Sequence, residues 1–149
     1  MKTGHPKHGF YLEDLAVGMT ANRSHTFSKE DVLSFVDLSG DDNPIHTDED
    51  FAASTVFKQP IVHGMLVGSL ISTIFGKDFP GPGTIYLEQN MKFKAPVNFG
   101  DTVTAEVCIT EIIPEKRRVF FTTQCKVAGK LVVDGNATLM VDRRADLQD

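Results

Sequence analysis

Pro60-Ile61-Val62-His63-Gly64-Met65-Leu66-Val67-Gly68-Ser69-Leu70-Ile71-Ser72-Thr73-Ile74-Phe75-Gly76 is apolar or small on almost every side from Met65 to Phe75. A helix at a protein surface keeps a polar face, so a helix over 65–75 without one must be wrapped by the rest of the chain. It is too short to cross a bilayer, which takes about 20 apolar residues. After Gly76 the pattern changes from helical to alternating. Ile85, Leu87, Gln89, Met91 and Phe93 share one phase, as do Val103, Ala105, Val107 and Ile109 in the next run. Val119, Phe121, Thr123, Cys125 and Val127 form a third run, and Leu131, Val133, Ala137, Leu139 and Val141 a fourth. Period-two alternation with one apolar face predicts antiparallel strands that cover something on one side. Turns are expected at Gly81-Pro82-Gly83, Asn98-Phe99-Gly100-Asp101 and Ala128-Gly129-Lys130. The expected class is therefore α+β, an antiparallel β-sheet wrapped around a buried central α-helix.

The first third of the chain supplies the entry to that helix. Residues 11–18 read as an extended lead-in and 20–27 as a strand. Ser28, with Asp31 three residues on, has the spacing of a capping box and starts a helix running through Phe35 and Leu38, which Gly40 stops. Thr47 is a cap candidate for a second helix, and the acids Asp48, Glu49 and Asp50 suit its positive end. A chain of 149 residues fits one domain over 1–149, able to bury about two-thirds of its unfolded surface. Net charge of −5 argues against nucleic acid as a partner. Two cysteines, Cys108 and Cys125, are too few for a disulfide framework and suit reduced thiols in the cytoplasm. The first nine residues contain no apolar core of a signal peptide, so neither secretion nor membrane insertion is expected.

Chemistry concentrates in Ser39-Gly40-Asp41-Asp42-Asn43-Pro44-Ile45-His46-Thr47-Asp48. Asn-Pro initiates a turn, and the residue before proline is pushed out of the helical region. The bend can aim Asp41 and His46 into one space, where a carboxylate and an imidazole can handle a water together. The plainer account is a helix ending at Asp41 and a solvated His46. Gly64 opens the apolar helix, where the first amides lack internal partners and the macrodipole favours negative charge. That makes its backbone N–H a candidate donor to an oxyanion. Close packing of Gly64 and Gly68 against a neighbouring element is the alternative, with Gly68 better explained by packing and Gly64 by a site.

Gly40-Asp41-Asp42-Asn43-Pro44-Ile45-His46, followed by Ile61-Val62-His63-Gly64-Met65, resembles the signature of the MaoC-like (R)-specific enoyl-CoA hydratases, enzymes of hot-dog fold. The likeness continues through Pro82-Gly83-Thr84-Ile85-Tyr86-Leu87, Phe93-Lys94-Ala95-Pro96-Val97 and Gly100-Asp101. It implies reversible hydration of a trans-2-enoyl-CoA by Asp41 and His46, with the Gly64 amide holding the thioester oxygen. It also implies a homodimer or higher homo-oligomer, an acyl-CoA or acyl-carrier-protein thioester as partner, and acid–base chemistry needing neither cofactor nor metal. Ser72 matches a family position near the active site, and Asn43 is a second candidate for site support. As a small polar residue, Ser72 is equally explained by bonding to its own helix.

Other residues receive structural readings. His63 has no compact zinc spacing with His46 and is expected to be structural. His5, His8 and His25 are read as surface residues. The run Lys116-Arg117-Arg118 reads as a solvated turn, or as a contact for CoA phosphates or an acidic carrier protein. Two further activities stay open beside hydration: a thioesterase on the same fold, and a silent acyl-thioester-binding domain. The Asp-x4-His turn argues against the first.

Overall fold

The computed structural model describes residues 4–147. The apolar helix, α3 (Gly64–Thr73), follows two others, α1 (Lys29–Ser39) and α2 (Glu49–Ala53). Five strands complete the fold: β1 (Thr20–Thr26), β2 (Ile85–Phe93), β3 (Thr102–Ile113), β4 (Arg118–Val127) and β5 (Lys130–Met140). They form one sheet in the order β1-β3-β4-β5-β2, antiparallel at every step. Helix α3 packs on one face, so the α+β wrap expected from the alternation is what forms. Val67, Ile71, Ile74 and Phe75 meet Val103, Val107 and Ile109 of β3, Val119 and Phe121 of β4, and Leu139 of β5 in one continuous core. Burying each such side chain stabilises by about 1.5–3 kcal/mol. No helix among the described residues is long and apolar enough to cross a membrane.

Local chemistry sets the element ends. Ser28 and Asp31 exchange the reciprocal bonds of a capping box, and Gly40 closes α1 in the left-handed region at φ 78°. Helix α2 starts one residue later than its sequence suggests. Its cap is Asp48, whose carboxylate accepts from the Phe51 N–H at 3.0 Å. The central helix also runs further than expected. Gly76 does not stop it, and a wider turn over Ile74–Asp78 continues the coil. The Phe79 and Gly81 amides bond the Ile74 and Phe75 carbonyls there.

Strand β2 departs most from the sequence reading. Its register against β5 slips between Tyr86 and Glu88. The extra residue breaks the alternation, so Tyr86, paired with Leu139, joins Gln89, Met91 and Phe93 on the inner face, in place of Ile85 and Leu87. Tyr86 packs edge-on to Phe75, and its hydroxyl donates to Gln89, whose amide donates to buried Thr123. Burial, and secondarily the nearby Cys125, raise the Tyr86 phenol to about 12. Of the histidines read as surface residues, His25 is exposed and His8 is mostly buried. His8 stacks on Tyr11 and meets Asp142 at 3.1 Å, and His25 meets Asp31 at 2.8 Å. Both cysteines are unpaired.

Close approach to β2 explains two glycines of α3. A Cβ at Gly64 would lie 2.6 Å from the Phe93 ring, and one at Gly68 would lie 2.7 Å from the Met91 sulfur. Gly135 on β5 is tighter still, since its Cβ would fall 1.9 Å from the Asn90 carbonyl oxygen. Gly135→Ala should therefore lower the free energy of unfolding by roughly 1–3 kcal/mol through overpacking, read by urea denaturation.

Candidate active site

A cavity of about 360 Å³ opens at the start of α3, lined by Asp41, His46, His63, Gly64, Phe93 and Lys94 among others. The turn between α1 and α2 aims the first two. The Asn43 side chain accepts from the Ile45 N–H at 3.2 Å, its carbonyl accepts from the His46 N–H at 3.0 Å, and the Asp41 carboxylate accepts from the Asn43 N–H at 3.4 Å. Asn43 thus shapes the bend and does not line the cavity.

His46 is 9% exposed, and its Nδ1–H donates to the Ile61 carbonyl at 2.7 Å. A carbonyl only accepts, so this bond fixes the proton on Nδ1 and leaves Nε2 with its lone pair. Burial lowers the pKa of His46 from its ordinary value, and the neighbouring His63 adds to that. The Ile61 bond and the Asp41 charge oppose it. The imidazole is accordingly neutral near pH 7. Asp41 keeps its side chain half exposed to the cavity. One carboxylate oxygen of Asp41 and one ring nitrogen each of His46 and His63 lie within 4.8 Å of one another. A carboxylate and an imidazole this close can hold a single water between them at about 2.8 Å from each.

His63 belongs to this group, which the sequence reading did not anticipate. It is 2% exposed, its Nε2–H donates to the Asp41 backbone carbonyl at 3.0 Å, and its ring stacks on His46 at 3.7 Å and 24°. No side-chain pattern announces a bond to a backbone carbonyl 22 residues away. The two imidazoles and the carboxylate are ligand types for a metal. In-plane lone pairs on rings stacked this way run side by side, however, whereas zinc needs them to converge at about 2.0–2.1 Å. The arrangement suits proton handling better.

Gly64 supplies the first amide of α3, and no side chain caps that end. Ser72 is not brought to the same place. It lines a separate cleft with Gly68, Tyr86, Gln89 and Met91. The Lys116-Arg117-Arg118 hairpin is also remote, at the Ile85 end of the sheet and not at the Phe93 end where the cavity lies.

Comparison with known proteins finds relatives along most of the chain. The family model described as "MaoC like domain" matches residues 15–136. The chain is 52% identical to an (R)-specific enoyl-CoA hydratase of Rhodospirillum rubrum, over 90% of this chain and 93% of the relative. It is 42% identical to a 3-hydroxybutyryl-CoA dehydratase of Methylorubrum extorquens, over 91% and 87% respectively. The solved structure of an (R)-hydratase from A. caviae involved in PHA biosynthesis superposes with a TM-score of 0.84 at 44% identity, covering 87% of this chain and 99% of that one.

The proton assignment at His46 is measurable. Nitrogen NMR should find the neutral Nδ1–H tautomer and a midpoint below the ordinary 6.5. The unfolded chain then takes up this proton first. The contribution of His46 to stability, complete above 6.5, should decline as the pH falls from there to the lowered folded midpoint.

Proposed function

The chain belongs to the MaoC like domain family, and from that premise we propose that it hydrates trans-2-enoyl-CoA to (R)-3-hydroxyacyl-CoA, reversibly, through Asp41 and His46. The observation that carries this reading is the juxtaposition of a half-exposed carboxylate, a neutral imidazole with a free Nε2, and an uncapped helix start in one cavity. A water held between Asp41 and His46 Nε2 gives one proton to Asp41 as its oxygen bonds the β-carbon. The π electrons pass into the thioester carbonyl, and the resulting enolate oxygen accepts from the Gly64 N–H. One such donor is typically worth on the order of 3 kcal/mol in the transition state. The proton on Asp41 then moves to the α-carbon on the face that received the hydroxyl, so one water is added and the carboxylate is restored. His46 orients the water throughout by accepting its other hydrogen at Nε2. This acid–base cycle uses neither cofactor nor metal. The (R) outcome follows the names of the Rhodospirillum and Aeromonas relatives.

Assembly and setting complete the proposal. Strand β2 pairs with β5 on one side only, and Ile85, Leu87 and Phe93 on it are each about half exposed. A second copy joined along β2 would cover them, giving a homodimer of single MaoC-like units. Free thiols at Cys108 and Cys125 fit the cytoplasm. The A. caviae relative is named for PHA biosynthesis, and supply of hydroxyacyl-CoA monomers is the corresponding role here.

Mixing the protein with crotonyl-CoA separates the readings. Hydration removes the conjugated-thioester absorbance without releasing thiol, a thioesterase releases thiol, and a binding domain does neither. A carrier-protein dehydratase would favour the carrier thioester over CoA. We expect hydration, reduced at least 100-fold in Asp41→Asn and in His46→Gln with circular dichroism unchanged, in line with the 100- to 10,000-fold typical of a positioned acid or base. Near-normal turnover in either variant would remove that residue from the mechanism.

A further inference from the structure

The ring of His63 touches three residues around the site, Asp41 and His46 on the turn and Phe35 on α1. Its Nε2–H holds the Asp41 carbonyl at 3.0 Å, and its face stacks on His46 at 3.7 Å. Phe35 of α1 packs 4.7 Å from its centroid, and its own carbonyl accepts the Val67 N–H at 3.0 Å in the first turn of α3. Stability alone does not account for an imidazole there. The His63 Nδ1 is buried with no hydrogen-bond partner among the described residues. A buried acceptor left unpaired costs about 1–3 kcal/mol, and a phenyl ring would fill the same space without that cost.

We propose that His63 is a positioning residue for the hydration dyad, tying the Asp41 backbone through its N–H and setting the plane of the His46 ring by stacking. This rests on the reading of Asp41 and His46 as the dyad. The mechanical reason lies in what each dyad member lacks by itself. Asp41 sits on a turn with its side chain half in solvent, and its own carboxylate bond to the Asn43 N–H is long at 3.4 Å. The His63 bond pins that turn from the protein side, with the nearer carboxylate oxygen 4.0 Å from Nε2. His46 is held by one hydrogen bond to Ile61, about which the ring can still rotate. A parallel ring at 3.7 Å removes that freedom, so Nε2 keeps one direction. The titratable groups against His63 are Asp41 and His46, and Phe35, which also packs on it, carries no charge. Orienting groups behind reacting ones matter because a misplacement of about 1 Å can cost on the order of 100-fold in rate.

Two substitutions separate the N–H from the ring. His63→Phe keeps the volume and the stack but removes the donor, whereas His63→Gln keeps an N–H within reach and gives up the stack. With crotonyl-CoA we expect His63→Phe to lose about 100-fold in kcat, with KM within about threefold and a thermal midpoint equal to or above that of the parent protein. His63→Gln should recover about tenfold of that kcat, because the tie to Asp41 returns. Activity of His63→Phe within about threefold of the parent overturns the positioning role and leaves the hydratase reading intact. Loss of activity without recovery in His63→Gln, with or without a fall in midpoint, also overturns it, since a structural role predicts that pattern. A parent protein that hydrates no enoyl thioester overturns both readings together.

Discussion

A helix this apolar persists in water only when most of its surface is covered, and that requirement on α3, which leaves only the Met65, Ser69 and Ser72 side exposed, organises the molecule. The sheet meets it on one face through the alternating apolar residues of β3, β4 and β5. The helix in turn must let the strands come near, which it does with glycine opposite Phe93 and Met91. Packing and site are therefore not competing explanations of Gly64. The same missing Cβ that admits Phe93 leaves the first amide of the helix facing a cavity. Lengthening this side chain would disturb both at once, whereas Gly68 one turn further on borders only the neighbouring cleft.

The second organising device is the use of main-chain carbonyls to hold imidazoles. His46 gives its proton to Ile61 and His63 gives one to Asp41. Each bond selects one tautomer, and each links a segment before α3 to another part of the site. Because carbonyls do not titrate, the selection holds across the working pH range, unlike an imidazole oriented by a carboxylate. Burial then keeps His46 neutral, so its Nε2 presents a lone pair and not a cation.

Much of this was legible in the residues. The apolar run at 65–75 and the alternation of β3 and β4 are long signals, and each strand shows one buried and one open face. The Asp41–His46 turn was legible because Asn-Pro and the bonds of Asn43 are local. What escaped was non-local or one residue out of step. The choice between Thr47 and Asp48 as cap is one such step, since both are capping residue types and both amides bond the Pro44 carbonyl. The slip after Tyr86 leaves the spelling of β2 seemingly periodic, since Ile85 and Leu87 are as apolar as a core strand requires. His63 was hidden for a deeper reason: its partners are a backbone oxygen and the face of a second ring, and neither has a sequence signature. Ser72, suggested by resemblance alone, lies on α3 but borders a different cleft.

The slip in β2 also bears on how the protein resists clumping. An outer strand that is both straight and greasy offers a template to which any extended polypeptide can stick, layer upon layer. Here the surplus residue interrupts the row of outward backbone groups part of the way along, near Leu87. Until a second copy takes up one in-step stretch of that rim, a passing peptide can pair with no more than such a stretch before its ladder fails. The irregularity that reads as a flaw in the pleat thus serves as a brake on indiscriminate fibril growth.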